Sequence, residues 1–326
     1  MKNLFVGVDV SKDTLDVCTL TEAHEVVSKH QLFTNNRKGI KSFLSHLDPH
    51  TTWVCIENTG HYGSLFIGLL VAHGVQVAVV NPLEIKRSSG IARGKSDPID
   101  AYRIASYAVT FKHKLENYML PCAAIRKLKV LMSQRDLYTK ILVQCKNNLK
   151  GLEIHAQTLE VKEAIQICKA TINNQAKAIK KLTASMKEII QGEQKLKQTY
   201  QRITGVIGVG PITAIKCIIE TANFEKFTNP RKFSCHSGLA PFSYQSGTSL
   251  RGKAKTSKIC NKALKGLFYR AATTALSHDP QLRAYYDRKI GEGKHKLSVR
   301  NAVANKIILR IFAVAKREEP FVKLAA

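Results

Sequence analysis

Apolar residues alternate with other residues over 4–10, 14–20 and 25–33, and short polar breaks separate the three stretches. Period-two alternation of this kind predicts three strands joined by hairpin turns. Ile40, Phe43, Leu44 and Leu47 then share one stripe of a helix, and residues 52–56 read as a fourth strand. Residues 65–72 read as a helix, 75–80 as a fifth strand, and a further helix starts near Pro98. The order β-β-β-α-β-α-β, then helix, predicts a mixed five-stranded sheet flanked by helices within residues 1–120.

Beyond that point the period changes. Positions 128, 131, 135, 138, 142, 145, 149 and 152 carry Leu, Leu, Arg, Tyr, Leu, Cys, Leu and Leu, spaced alternately by three and four. A second run at 165, 168, 172, 175, 179, 182, 186, 189, 193 and 196 carries Ile, Cys, Ile, Gln, Ile, Leu, Met, Ile, Glu and Leu. These are heptad seams, and they predict two long helices forming a coiled-coil spacer over residues 121–200, either as a hairpin within one chain or between chains. Arg135, Gln175 and Glu193 weaken the seam but can set its register. Residues 201–326 read as a small, mainly helical domain. In it, Gly205, Gly208 and Gly210 form a turn before an apolar helix, and residues 238–249 are polar and turn-rich.

Charge separates these regions. The chain has 326 residues, 44% of them hydrophobic, and a formal net charge of +27. Residues 1–120 contribute +2 of this and residues 121–326 contribute +25. So large an excess implies a polyanionic partner, with nucleic acid foremost, and a basic ribosomal or chromatin-type protein is a competing class. The apolar stretch 65–80 is interrupted by His73 and Gln76, and the start of the chain lacks the pattern of a secretion signal, so a cytoplasmic protein without membrane spans is expected. The eight cysteines form no C-x-x-C pair, which argues for reduced thiols and against a zinc finger.

Four carboxylates in the balanced region call for an explanation. Asp9 lies inside a Val-rich strand, where an unpaired carboxylate is costly. Glu57 ends the strand Trp53-Val54-Cys55-Ile56, next to a turn. Asp97 and Asp100 begin the helix near Pro98; there Asp97 suits an N-cap and Asp100 suits the helix dipole, so capping explains this pair as well as catalysis does. Taken as a set, a strand Asp, a strand-end Glu and an i, i+3 Asp pair can converge, and four converging carboxylates require cations. Hard oxygen ligands select Mg²⁺ or Mn²⁺, and two such ions serve phosphodiester chemistry.

The basic region has its own candidates. Gly208 and Gly210 would let the backbone approach a phosphate as helix-hairpin-helix elements do, or they simply form a turn. Ser246 precedes Gly247 and is followed by Arg251, Lys253, Lys255 and Lys258. That setting suits a nucleophile whose anionic partner the cations hold, and it equally suits an ordinary turn serine, with Ser243 and Ser249 close by.

Gly7-Val8-Asp9-Val10-Ser11-Lys12, Ile56-Glu57-Asn58-Thr59-Gly60, Lys95-Ser96-Asp97-Pro98-Ile99-Asp100-Ala101, residues 203–214 and residues 238–247 occur in this order along nearly the whole chain. Together they resemble the insertion-sequence-110 family of transposases. The resemblance implies a RuvC-like, ribonuclease H-like α/β domain over 1–120 with a DEDD set at Asp9, Glu57, Asp97 and Asp100. It also implies a coiled-coil spacer over 121–200 and a carboxy-terminal transposase domain over 201–326 with Ser246 as nucleophile. Mg²⁺ or Mn²⁺, double-stranded donor and target DNA, and a structured noncoding guide RNA follow as expected partners. The chain departs from the family where Cys260 precedes Asn261, a position often glycine there. The heptad seams lead us to expect a dimer that becomes a tetramer on DNA. Competing functions are a RuvC-like structure-selective endonuclease, a catalytically inactive nucleic-acid-binding relative, and a sugar-kinase or actin-like ATPase.

Overall fold

The structure is a computed structural model. It describes the chain except residues 1–2, 59, 91–93, 95, 247–249, 318, 320 and 323–326, and it describes the backbone but not the side chains of residues 246, 250, 251 and 253. Two compact units emerge, Met1–Leu120 and Pro121–Ala326.

In the first unit the strands are β1 (Leu4–Val10), β2 (Thr14–Thr21), β3 (Val26–Thr34), β4 (Thr52–Glu57) and β5 (Gln76–Val80). They form one sheet in the order β3-β2-β1-β4-β5, with β1 antiparallel to β2 and parallel to β4. This is the mixed sheet expected of a ribonuclease H-like fold. Helices α1 (Arg37–Leu44) and α2 (Ser64–Ala72) follow β3 and β4, where the sequence reading places them. A short helix, α3 (Pro82–Ser88), is one the sequence reading does not contain; Asn81 caps it by accepting from the Leu83 amide at 2.9 Å.

Alternation along β1 sorts its residues between two layers. Val6, Val8 and Val10 pack with Ile40 and Phe43 of α1 and with Phe66 and Leu70 of α2. Phe5 packs on the other side with Cys18, Cys55 and the Ala101, Ile104 and Ala105 face of α4 (Asp97–Thr110). Gly7 is on that side too, and a β-carbon there would run into the backbone of Ala101 and Ala105. Only glycine permits α4 to lie this close to the strand.

Among the described residues the second unit is helical apart from one hairpin. Helices α5 (Ala123–His155) and α6 (Lys162–Gly192) run antiparallel within one chain. Arg135 Nε donates to Thr183 Oγ1 at 3.2 Å, and Cys168 Sγ donates to the Cys145 carbonyl at 3.3 Å. The second heptad run does not form one helix to its end: Glu193 is extended (φ −115, ψ 109), and α7 (Gln194–Thr204) starts after it. Leu128 and Met132 of α5 and Met186 and Ile190 of α6 share one apolar core with α7, α8 (Pro211–Thr221), α10 (Lys262–His278) and α12 (Lys296–Arg317). Helices α9 (Pro230–His236) and α11 (Pro280–Gly291) complete the unit.

Of residues 238–249, read above as polar and turn-rich, 241–246 form strand β6 (Pro241–Ser246), which pairs antiparallel with β7 (Leu250–Thr256), while 247–249 lie outside the described residues. No helix among the described residues is long and apolar enough to cross a membrane. All eight cysteines are free thiols. Burial pushes the Cys55 thiol up to about 12, so it is inert.

Candidate active site

Asp9 occupies the next-to-last position of β1, two residues beyond Gly7 and so on the α4 side of the sheet. Glu57 ends β4, the parallel neighbour of β1. Asp97 and Asp100 lie in the first turn of α4, which the close approach at Gly7 holds over this side. The N-cap of α4 is Ser96, not Asp97, and its side chain makes no capping bond. Asp97 is therefore the first helical residue, and the capping explanation does not account for it.

The electrostatics of Asp9 report where these groups are. Burial, then the charges of Asp100, Asp97, Glu57 and Asp16, push its carboxyl up from 3.8 to about 6. Asp100, Asp97 and Glu57 thus each act on Asp9 at this end of β1, together with a fifth carboxylate, Asp16, that sequence reasoning missed. Asp16 pairs with Asp9 across β1 and β2, is buried, and accepts a hydrogen bond from His30 Nε2 at 2.7 Å. Its proximity to Asp9 is set by strand register, which alternation alone does not reveal.

Two other missed residues shape the site. Arg103 Nη1 donates to Asp100 Oδ1 at 2.9 Å and its Nη2 donates to the Gly94 carbonyl at 3.2 Å, so Asp100 has one oxygen engaged. Asn35 Nδ2 donates to the carbonyls of Ser11 at 2.8 Å and Tyr62 at 3.2 Å, tying the β1–β2 turn to the segment after Glu57. In this arrangement no three Asp, Glu, His or Cys side chains among the described residues are close enough together to enclose a metal ion. The donor set nonetheless suits a hard divalent cation: it is all oxygen, and it holds like charges whose repulsion is visible at Asp9.

In the second unit, Ser246 ends β6 and pairs with Leu250. Its side chain, and those of Arg251 and Lys253, lie outside the described residues. Lys255 and Lys258 are exposed. Gly208 (φ +91) packs against Ala271 and Ala275 of α10, which accounts for its missing side chain. Gly210 stands in open space as the N-cap of α8.

Both roots of the hairpin are held by a polar clamp. His236 Nε2 and Asn261 Nδ2 each donate to the Glu220 carboxylate at 3.2 Å, and the Asn261 amide donates to the His236 carbonyl at 2.8 Å. Asn301 Nδ2 donates to the Leu239 carbonyl at 2.7 Å, and Lys265 Nζ donates to Thr256 Oγ1 at 3.1 Å. Burial pushes the Glu220 carboxyl up, but the hydrogen bond and charge of His236, with Lys216 and Lys129, bring it below the ordinary value. Gly238 (φ +67) sits against Cys260, so the departure noted at Cys260 is absorbed by a glycine across the roots.

A family profile described as "Transposase" matches residues 6–152, the stretch holding all four predicted carboxylates. The class is therefore that of the transposases, enzymes of DNA recombination. A second profile, described as "Transposase IS116/IS110/IS902 family", matches residues 200–287, which contain the hairpin and its clamp. The chain belongs to the IS116/IS110/IS902 family of transposases. It is 24% identical to a pilin gene-inverting protein of Moraxella bovis over 99% of each chain. It is 22% identical to the transposase for insertion sequence element IS1111A of Coxiella burnetii, over 98% of this chain and 92% of the relative. Among solved structures it is similar to Thermus RuvC ("T. thermophilus RuvC in complex with Holliday junction substrate"), at 11% identity over 36% of this chain and 99% of that one, with a TM-score of 0.29.

Proposed function

We propose that the protein is a divalent-metal-dependent DNA recombinase that moves an insertion sequence under the direction of a structured noncoding RNA. The observation that carries this reading is Asp9, pushed up to about 6 by burial and by the same Asp100, Asp97 and Glu57 that the sequence nominates. Asp9, Glu57, Asp97 and Asp100 would hold Mg²⁺ or Mn²⁺, which would offset their repulsion and supply the polarisation of the scissile phosphate. Asp100 keeps one oxygen on Arg103 and offers the other.

Ser246 is the nucleophile. Its Oγ bonds to phosphorus as the bond from phosphorus to the leaving sugar oxygen breaks; the serine proton passes to solvent, and the leaving oxygen takes one up. Attack by a sugar hydroxyl of another strand reverses these changes and frees the serine. Arg251, Lys253, Lys255 and Lys258, with the backbone at Gly210, where a β-carbon would meet nothing, at the start of α8, hold phosphates of double-stranded donor and target DNA. Residues 1–120 act as the carboxylate domain, 121–200 as a coiled-coil spacer and 201–326 as the serine domain, working as a dimer that becomes a tetramer on DNA. The excess charge beyond residue 120 suits a guide RNA whose base pairing selects the site.

The test is to trap the intermediate. With Mg²⁺, wild-type protein is expected to form a protein–DNA adduct that survives denaturation; Ser246→Ala is expected to form none while still assembling on DNA. An adduct mapping to none of Ser243, Ser246 and Ser249, or no adduct despite strand cleavage, overturns the serine step in favour of hydrolysis by water. Site-specific recombination by nuclease-treated protein on naked DNA overturns the guide.

A further inference from the structure

The β6–β7 hairpin has a surface that neither the carboxylates nor the serine explains. It is a two-stranded ribbon whose aromatic residues face solvent: Tyr244 is 69% exposed and Phe242 is 48% exposed. Single exposed aromatics are ordinary, but this pair is arranged. Tyr244 faces Gly252 across the ribbon, and a β-carbon on Gly252 would meet Tyr244 Cδ1 at 3.2 Å and Tyr244 Cβ at 3.5 Å. The Tyr244 side chain is therefore packed close over the glycine backbone while most of its surface stays open to solvent. Phe242 faces Lys255, which is exposed. The clamp of Glu220, His236 and Asn261, with Asn301 and Lys265, anchors both roots, so the aromatic surface sits on a fixed base.

Charge selects the occupant. From residue 227 to residue 278 the sequence contains nine Lys and Arg and no Asp or Glu, and the Glu220 carboxylate at the roots is engaged by His236 and Asn261, so this segment attracts anions and repels cations. A partner that is anionic and also carries flat, apolar faces is a nucleic-acid strand. Within a duplex those faces are covered by neighbouring bases, so only an unpaired, unstacked base can lie on an aromatic side chain.

We propose that Tyr244 over Gly252, with Phe242 and Lys255 beside it, is a stacking platform for an unpaired base of the DNA strand being exchanged. The identity of that strand rests on the serine reading above, because position 246 lies two residues from Tyr244, roughly 7 Å along β6. A base held on Tyr244 would open the duplex beside the phosphate that is attacked and keep that phosphate in register with the strand end.

The test uses the full-length protein with a chelator, so that no strand is cut. The probes are a single-stranded DNA oligonucleotide carrying 2-aminopurine, whose fluorescence falls on stacking, the same sequence as a duplex, and the same sequence as RNA. Tyr244→Leu is expected to lose the fluorescence quench and roughly tenfold in single-strand DNA affinity while binding duplex within about twofold of wild type. Tyr244→Phe is expected to retain both. Gly252→Val, which lifts the ring, is expected to repeat Tyr244→Leu. Lys255→Ala is expected to weaken single-strand and duplex binding alike.

An unchanged quench in Tyr244→Leu, an equal loss on duplex and single strand, or a loss confined to RNA overturns the platform. Its failure is separable from failure of the serine reading. A wild-type adduct with no effect at Tyr244 removes the platform alone, whereas a Tyr244-dependent quench without any adduct removes the serine alone.

Discussion

Residues 1–120 are nearly neutral yet bring four further carboxylates within electrostatic reach of Asp9, whereas residues 227–278 carry nine cations and no acid. In the first region the fold itself generates the repulsion, by packing α4 onto Gly7 and by pairing Asp9 with Asp16. In the second the repulsion is spread over an exposed surface and solvent screens it. The difference teaches that the two regions lack opposite things. On the proposed function, a small cation among the carboxylates would relieve the first and a long polyanion laid across the surface would relieve the second, so each would gain stability from its own ligand.

The contrast breaks most visibly in catalysis. Asp100→Asn is expected to lower strand cleavage at least about a thousandfold while DNA affinity stays within about twofold, measured by cleavage and gel-shift assays. Wild-type cleavage by this variant in the presence of chelator would contradict the carboxylate role. Replacing Lys255 and Lys258 together by Gln is expected to do the opposite: affinity falls roughly tenfold at moderate salt, and the slope of log affinity against log salt becomes shallower by about two. A slope that does not change places the DNA elsewhere.

Smaller effects sharpen the comparison. Gly7→Ala is expected to destabilise the protein by about 2 kcal/mol or more, because α4 backbone must move, whereas Gly210→Ala, in open space, is expected to cost less than about 1 kcal/mol. Thermal unfolding distinguishes them, and equal costs would mean that α4 does not depend on the glycine.

Asp9→Asn is expected to stabilise the metal-free protein by about 1–2 kcal/mol at pH 7.5. The sign follows from a folded value near 6 against 3.8: the penalty grows as pH rises between these values and is complete above about 6. The gain should therefore vanish near pH 4, and added Mg²⁺ should stabilise wild type more than the variant. A gain that persists at pH 4 would place its cause outside the charge.

The sheet is legible in the sequence because β1 to β3 announce themselves by alternation and β4 and β5 by short apolar runs, while a stripe marks α1, an apolar run α2 and the Asp97-Pro98 start α4. The four predicted carboxylates are legible because aspartate is out of place in a Val-rich strand and because Glu57 marks a strand end. Asp16, His30, Arg103 and Asn35 are not, since each acquires its meaning from pairing or from a bond across loops. Helix α3 is too short to establish a period. The hairpin hides because β6 is short, because β7 carries an extra residue between the partners of Phe242 and Tyr244, and because Gly252 and several lysines dilute its apolar signal. The extended Glu193 is equally silent, as a heptad pattern can be continued through a residue that is not helical.

Asp9 reaches the α4 layer by parity. Val8 and Val10 on either side of it belong to the opposite layer, and β1 is flanked by strands on both edges. Inserting or deleting one residue between Leu4 and Asp9 would send the carboxylate into the apolar layer beneath α1 and α2 and bring a valine up in its place. In descendants of this chain the stretch can accept exchanges of side chain at constant length, but a single-codon insertion or deletion is closed to it. The length from Leu4 to Asp9 is therefore as much a part of the site as the aspartate itself.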